Sequence, residues 1–352
     1  MKKKSKIKTV IIIIVAIILS ATITTGIFGY AMFADKISAA GSVKKLEHNL
    51  YYMEYEGNYG FEEFLQNGGA SSESEMAAYL ISFMSGGFWK NEPEDVSLDF
   101  GCSTLTTNTA EGTIMGRNFD WSNGSTGAVM IIHTKPSDGY ESYSTTWLDF
   151  LGFGEGFTPE SFGNKYMSIA GVYVPLDGIN EMGLCVADLL AGDNYTTNQQ
   201  TEKPDLTTTS AIRLLLDKAS TVEEAVNLLS EYDMHSSIGT SHHLAISDAS
   251  GKSVVVEYID NVMTVTDTPA VTNHYLSEGS KQGIGNEESH KRFEKLLNAK
   301  SNVSDVMDMK DCLEAVSYAS ETQWSIVYNL DKKALDFYFH RNFESSYSYT
   351  IE

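Results

Sequence analysis

The chain has 352 residues, 42% of them hydrophobic, which is enough to fill a substantial core and excludes a disordered protein. Its formal charge is −22, from 47 acidic and 25 basic side chains. A chain of this charge cannot neutralise phosphates, so we expect no nucleic-acid partner and no polyanionic substrate.

The first 34 residues predict a membrane anchor. Five lysines precede an uncharged, mainly aliphatic run from Thr9 to Phe33, which is long enough to span a bilayer. The positive-inside rule then keeps the N-terminus in the cytoplasm and places the remaining chain outside the cell membrane. A cleaved signal peptide, with small residues at Ser38 and Ala40, is the alternative and would give a secreted protein. We favour the anchor because signal peptides usually have shorter apolar cores.

Residues 35–101 predict a mostly helical pro-segment. Apolar residues recur at helical spacing in 61–65 and 76–84, with paired glycines at 68–69 and 86–87. From Phe100 the pattern changes to short β-like runs. We therefore predict a domain boundary before Cys102 and a single catalytic domain from 102 to 352.

Strand-like runs and helices alternate after that boundary. Strands are predicted at 127–132, 167–173, 183–187, 243–247, 253–259, 262–266, 324–330 and 334–340, and helices at 209–218, 222–232, 289–299 and 305–317. This order predicts an α+β fold in which layered sheets are flanked by helices.

The three cysteines, Cys102, Cys185 and Cys312, are too few for a disulfide framework and odd in number, so at least one thiol is free. Cys185 lies in an apolar run and Cys312 on a predicted helix, so both are expected to be packing residues. No CxxC or HxxxH cluster is present. We expect no metal site and no cofactor.

The most informative motif surrounds Cys102. Gly101-Cys102-Ser-Thr-Leu begins a predicted strand, and Arg117-Asn-Phe-Asp120 ends the strand expected to pair with it. This arrangement resembles the choloylglycine hydrolase family of N-terminal-nucleophile enzymes, which includes bile salt hydrolases and penicillin V acylases and is related to acid ceramidase and N-acylethanolamine amidase. Asn-Glu-Met-Gly-Leu at 180–184, Thr272-Asn273 and Arg292-Phe293 are similar to later motifs of the family. The resemblance runs from Cys102 to the C-terminus.

The resemblance implies a four-layer αββα sandwich of antiparallel sheets and a defined site. Cys102 is the implied nucleophile, Arg117 and Asp120 hold the thiol and the terminal amine, Asn273 donates to the oxyanion, and Arg292 supports the site. Leu190 aligns with the residue whose backbone N–H completes the oxyanion hole. Bile salt hydrolases carry asparagine there and penicillin V acylases tyrosine, so neither subgroup is assigned.

Such a site works only if Cys102 becomes the first residue of its chain. A free α-amine, with a reference pKa near 8, can take the thiol proton and return it to a leaving amine. Self-cleavage between Gly101 and Cys102 is therefore required, and we expect the glycine to let the backbone bend there. We also expect Arg117 to lower the thiol pKa by its charge.

The predicted function is hydrolysis of a linear amide bond in a small N-acyl substrate through a thioester. Candidate substrates are conjugated bile acids, phenoxyacetyl β-lactams, N-acyl homoserine lactones, and N-acyl amino acids or lipid amides. An acyltransferase and a membrane-tethered, non-catalytic binding module are the alternatives, whereas the surroundings of Cys102 do not fit a papain-like protease.

Several points stay open in the sequence. Arg117 and Asp120 would also fit an ordinary surface ion pair, Asn273 a turn cap and Arg292 a solvated helix position. The sequence decides neither whether the pro-segment stays bound after cleavage nor whether the protein is a homo-oligomer.

Overall fold

A computed structural model of the chain describes residues 33–85, 100–121, 127–154, 156–319 and 321–352. The helices are α1 (33–42), α2 (Phe61–Gln66), α3 (Glu73–Ser85), α4 (Phe162–Ser168), α5 (Thr208–Lys218), α6 (Val222–Leu229), α7 (Glu287–Ala299) and α8 (Val306–Val316). The strands are β1 (Lys44–Glu47), β2 (Leu50–Glu56), β3 (Phe100–Thr109), β4 (Gly112–Trp121), β5 (Val129–Lys135), β6 (Ser142–Trp147), β7 (Asp177–Asn180), β8 (Cys185–Leu190), β9 (Asp205–Thr207), β10 (Asp233–His235), β11 (His242–Ser247), β12 (Ser253–Ile259), β13 (Val262–Asp267), β14 (Ala270–Val271), β15 (Thr322–Asn329), β16 (Ala334–Phe339) and β17 (Tyr347–Thr350).

Two sheets form the centre of the molecule. The larger has nine strands in the order β1-β2-β5-β6-β7-β8-β11-β12-β13, and the smaller has six in the order β14-β3-β4-β15-β16-β17. Neighbouring strands are antiparallel in both sheets, except that β2 runs parallel to β5. Strands β9 and β10 form a separate parallel pair.

Three apolar cores separate the layers. One lies between the larger sheet and helices α2, α3, α5 and α6, and includes Phe64 and Ile212. A second lies between the two sheets and includes Cys102 and Trp324, and a third lies between the smaller sheet and helices α7 and α8. Because each sheet is covered on both faces, its central strands are buried along almost their whole length. The predicted α+β fold with antiparallel sheets is confirmed.

The prediction of a mostly helical segment before Cys102 is wrong for residues 44–56. Helices α2 and α3 lie where helical spacing predicted them, but β1 and β2 join the larger sheet. Strand β2 pairs with β5 from Leu50 opposite Val129 to Glu56 opposite Lys135. Three tyrosines in β2 suit a pleated, buried surface, which explains the strand. The segment before Cys102 thus shares a sheet and a core with the rest of the protein.

A second correction concerns residues 167–173, which were predicted to form a strand. They complete helix α4 and continue into a short 3₁₀ helix, Ile169–Tyr173. Ser161 starts α4 by accepting a hydrogen bond from the backbone N–H of Asn164. Every residue of the 3₁₀ helix is buried, and a fully buried apolar run has no periodicity that separates helix from strand.

The predicted membrane span lies outside the described residues, apart from its last residue, Phe33. Within the five described ranges, no helix combines the length and the apolar character that crossing a membrane requires.

Candidate active site

Cys102 lies on β3 at the edge of the core between the two sheets. It is directly opposite Phe119 on β4, and only 2% of its surface is exposed. Its backbone N–H donates a hydrogen bond to Oδ1 of Asn273, with 2.7 Å between the two atoms. All three cysteines are free, and Cys185 is buried in the same core, as predicted for a packing residue. The nitrogen that cleavage would free is therefore already bound by a polar side chain.

Arg117 lies on the same face of the smaller sheet as Cys102 and is fully buried. Its Nε donates to Oδ2 of Asp177 at 3.0 Å, and its Nη2 donates to the backbone oxygen of Asp188 at 2.8 Å. The guanidinium is thus held by the larger sheet while it faces the thiol. These contacts rule out an exposed ion pair for Arg117.

The expected effect of Arg117 on the thiol is overcome by burial. Desolvation raises the pKa of Cys102 above its ordinary value in the intact chain; the charge of Arg117 opposes this shift and Asp120 adds to it. The predicted effect of the Arg117 charge is present, but burial outweighs it and the net pKa of the thiol in the uncut protein is raised. A protonated thiol at neutral pH needs a base before it can attack an amide.

Asp120 lies on the opposite face of β4 from Arg117 and is also fully buried. It accepts hydrogen bonds from Nη1 of Arg292, at 3.0 Å, and from the hydroxyl of Thr322. Burial raises the pKa of Asp120 to about 6, although Arg292 and Thr322 both act to lower it. The carboxylate is therefore close to its titration range at neutral pH.

Arg292 connects the other groups of the site from helix α7. Its Nη1 donates to the backbone oxygen of Cys102 at 3.0 Å as well as to Asp120, and its Nη2 donates to Oδ1 of Asn273 at 2.8 Å. The side chain is 4% exposed, so the alternative of a solvated helix residue is wrong. One guanidinium thus fixes the positions of three other site residues.

Asn273 and Leu190 are also brought together. Oδ1 of Asn273 accepts from Cys102 and Arg292, which leaves its amide nitrogen as a donor. That nitrogen donates to the backbone oxygen of Leu190 at 2.8 Å, so one of its N–H groups is occupied in the intact chain. The roles of Asn273 and of the Leu190 N–H in an oxyanion hole stay predictions.

Gly101 continues β3 and lies opposite Asp120. It is not among the glycines with positive φ, so a special backbone bend does not explain it. A Cβ at this position would lie 2.8 Å from Cε2 of Tyr318 and 3.3 Å from Cβ of Asp120. Lack of space for a side chain is thus one reason for glycine here, and bending of the backbone during self-cleavage stays a prediction.

Three residues of the site were missed in the sequence. Asp177 binds Arg117 and also accepts from the indole of Trp324 and the hydroxyl of Tyr328. Thr322 binds Asp120, and the ring of Tyr318 lies 4.6 Å from the guanidinium carbon of Arg292. A buried arginine requires a carboxylate, which would have prompted a search for Asp177.

No group of three or more His, Cys, Asp or Glu side chains that could hold a metal occurs in the described part of the chain. The site consists of a thiol, two guanidinium groups, a carboxylate and an amide. Such groups suit the activation of a nucleophile and the stabilisation of an anion.

Replacing Thr322 with valine should move the acid limb of the pH–activity profile upward. Activity should fall as the pH drops through the pKa of Asp120, because the protonated carboxyl loses its charge. Asp120 should give the lower limb, near or below pH 6, whereas protonation of the α-amine that cleavage would free gives a separate limb nearer its reference pKa of about 8. Valine removes one stabilising hydrogen bond and should raise the lower limb by roughly one pH unit. A kcat/KM profile that does not change would contradict the assignment.

Comparisons with known proteins agree with the geometry. The family model of acyl-coenzyme A:6-aminopenicillanic acid acyl-transferase matches residues 107–343, which is more than half of the chain. A penicillin V acylase from Pectobacterium atrosepticum is 30% identical over 165 residues, which cover 43% of this chain and 42% of that protein. The chain thus spans less than half the length of this curated relative.

Solved structures are similar at low sequence identity. Penicillin V acylase from Agrobacterium tumefaciens superposes with a TM-score of 0.50 and 18% identity, covering 71% of this chain and 86% of that one. A mutant conjugated bile acid hydrolase from Clostridium perfringens gives a TM-score of 0.47 and 17% identity, over 71% and 96% of the two chains. At such identities the first similarity shows a shared fold. The family match confirms the predicted relationship to choloylglycine hydrolases, and the chain belongs to the acyl-coenzyme A:6-aminopenicillanic acid acyl-transferase family of N-terminal-nucleophile proteins.

Proposed function

We propose that the protein is a cysteine N-terminal-nucleophile hydrolase that cleaves a linear amide bond of an N-acyl substrate after cutting itself between Gly101 and Cys102. The observation that carries this proposal is the hydrogen bond from the backbone nitrogen of Cys102 to Asn273, beside Arg117 and Asp120. This contact would keep a freed α-amine next to the thiol. The thiol and its base would then belong to the same residue.

Self-cleavage would proceed by attack of the Cys102 sulfur on the carbonyl carbon of Gly101. The carbon–nitrogen bond breaks, a thioester forms, and the nitrogen of Cys102 becomes an amine after receiving the thiol proton. Water then hydrolyses the thioester, which leaves a carboxylate on Gly101 and a free thiol on Cys102. Arg292 supports this step because it binds the backbone oxygen of Cys102.

In each turnover the α-amine would take the thiol proton, and the thiolate would attack the substrate carbonyl. The departing amine receives the proton, and water releases the acyl group as a carboxylic acid. The buried thiol, with its raised pKa, needs this neighbouring base. The amide N–H₂ of Asn273 is the proposed donor to the oxyanion, together with the backbone N–H of Leu190.

Aromatic side chains near Cys102 favour an apolar acyl group. Phe119 lies opposite Cys102, and its ring centroid is 4.1 Å from that of Trp324. Trp121 and Trp147 extend the same cluster within the core between the sheets. Phenoxyacetyl amides are therefore suitable first substrates, in line with the similarity to penicillin V acylase.

The test is a panel of N-acyl amides that share one leaving amine and differ in the acyl group. Purified self-cleaved protein should release the amine from apolar acyl amides in a one-to-one ratio with the carboxylic acid. If no member is hydrolysed by protein whose N-terminus is Cys102, the proposal of a hydrolase fails and a non-catalytic binding module becomes the better explanation.

Acyl transfer is a second candidate function, favoured by the match to an acyl-transferase family model. The same thioester would then be taken by an amine in place of water. Adding 6-aminopenicillanic acid to the assay separates the two functions: a transferase forms the new amide at the expense of the free acid, whereas a hydrolase gives the acid alone.

We further propose that the protein acts at the outer face of the cell membrane. The uncharged run from Thr9 to Phe33 and the lysines before it support this location. Secretion after signal cleavage is the alternative, and the mass of the N-terminal fragment distinguishes the two.

A further inference from the structure

The place occupied by Gly101 is closed on the side where a side chain would project. A Cβ built on Gly101 lies 2.8 Å from Cε2 of Tyr318 and 3.3 Å from Cβ of Asp120, both closer than ordinary van der Waals contact. Since Gly101 lies opposite Asp120 on the paired strand, both residues face the helix layer, away from the Cys102 side chain. The ring of Tyr318 and the strand that carries Asp120 thus form a wall that leaves no room for a side chain on Gly101.

The ring of Tyr318 is held in this position by the site itself. The guanidinium carbon of Arg292 lies 4.6 Å from its centroid, and the backbone N–H of Tyr318 donates to the hydroxyl of Thr322 at 2.8 Å. Thr322 in turn donates to Asp120. Rotating the ring away from Gly101 would therefore give up its contact with the buried guanidinium of Arg292.

Self-cleavage and turnover share one nucleophile, whose backbone is fixed on both sides. The nitrogen of Cys102 is bound by Asn273 and its carbonyl oxygen by Arg292. In the first reaction the sulfur forms a bond to the glycyl carbonyl carbon, and in the second to the acyl carbonyl carbon of the substrate. In both, the carbon–nitrogen bond breaks and the thiol proton leaves with the nitrogen.

We infer that the acyl group of the substrate takes the place that the glycyl group vacates, and that Tyr318 excludes acyl groups with an α-substituent in the configuration of an L-residue. This inference rests on the proposed function and adds a specificity-determining residue to it. Acyl groups of the type R–CH₂–CO fit beside Tyr318 as Gly101 does. An α-methyl group in the configuration of an L-residue would occupy the position of the missing Cβ.

The experiment compares phenylacetyl and (R)-2-phenylpropionyl amides that share a 4-nitroaniline leaving group; the (R) isomer is the one whose methyl group matches the Cβ of an L-residue. Wild-type self-cleaved protein should prefer the unbranched amide by about 10- to 100-fold in kcat/KM, as expected when a methyl group is forced into a packed site. In the Tyr318→Ala variant this ratio should fall at least about tenfold. Tyr318→Phe keeps the ring and should keep the ratio.

The ratio of kcat/KM for the two amides tests this inference separately from the proposed function. If the unbranched amide is hydrolysed and the branched one is hydrolysed equally well by the wild type, or if Tyr318→Ala leaves the preference unchanged, the inference is wrong while the hydrolase stands. If neither amide is hydrolysed, even with Cys102 at the N-terminus, the proposed function itself fails.

A second measurement uses self-cleavage and needs no added substrate. Gly101→Ala should slow cleavage about 10- to 100-fold, because the new Cβ meets Tyr318. The double variant, with both Gly101→Ala and Tyr318→Ala, should cleave itself at a rate within about threefold of that of Tyr318→Ala alone. If the double variant is as slow as Gly101→Ala, Tyr318 does not form the wall.

Discussion

A Cys102→Ala variant should remain a single uncut chain of 352 residues and lose amide hydrolysis by roughly 10⁴-fold or more. Alanine supplies neither the sulfur that attacks the Gly101 carbonyl nor the nucleophile of the later turnover. Because Cys102 is almost fully buried, with its backbone held by Asn273 and Arg292, no other group can replace the thiol without moving the strand.

The measurement is the intact mass of the purified protein together with N-terminal sequencing. Wild-type protein should yield a fragment that begins with Cys102, and the variant should not. Cys312→Ala is the matched control, because this free cysteine is on helix α8 and contacts the core under the smaller sheet. It should be cut and active. Uncut Cys102→Ala protein with full activity would refute the mechanism.

Cys102, Arg117 and Asp120 could be placed together from the sequence because one hairpin, β3–β4, fixes their spacing. The side chains of Arg117 and Asp120 are three positions apart on β4, so they must face opposite sides of the sheet. That alternation was readable in the sequence once a strand was assumed. It explains why Arg117 faces the core between the sheets while Asp120 faces Arg292 on a helix.

The partners of these residues were not predictable in the same way. Asp177 reaches Arg117 only through the packing of the two sheets, and Thr322 reaches Asp120 through the pairing of β15 with β4; nothing local in their sequence marks them. The net shift in the pKa of Cys102 was not predictable for a related reason: the charge of Arg117 is visible in the sequence, but the burial that outweighs it depends on the second sheet.

Strand β2 was also missed because its partner is distant in the sequence. Its partner β5 lies beyond the proposed cleavage point, and parallel pairing needs a long connection that the local pattern does not reveal. Apolar spacing correctly predicted α2 and α3, which led to a helical interpretation of the whole segment. Because β2 is part of the larger sheet, we expect the segment before Cys102 to stay bound to the rest of the protein after the proposed self-cleavage.

The fragment ending at Gly101 should remain bound to the fragment beginning at Cys102 after self-cleavage. Cutting one peptide bond leaves the seven paired positions between β2 and β5 intact. The hydroxyl of Tyr59 donates to Oδ1 of the buried Asp217 at 2.6 Å, and the backbone of Ala70 donates to Asp205. Releasing the fragment would expose a large part of the core beneath the larger sheet, at a cost comparable to unfolding.

Full-length protein with a C-terminal affinity tag tests this: both fragments should elute together in buffer and separate only in denaturant.

A variant in the same core measures how strongly the fragments are held. Phe64 is fully buried there, and Phe64→Ala should destabilise the two-chain protein by about 3–5 kcal/mol and lower its Tm by several degrees. Phe162→Ala is the matched control, because 58% of the Phe162 surface is exposed, and it should leave Tm nearly unchanged. An N-terminal fragment that washes away in buffer, with activity retained by the rest, would show that β2 is dispensable. If the fragment stays, an anchor before residue 35 holds the mature enzyme at the membrane through β2 and its core contacts, without a covalent link to Cys102.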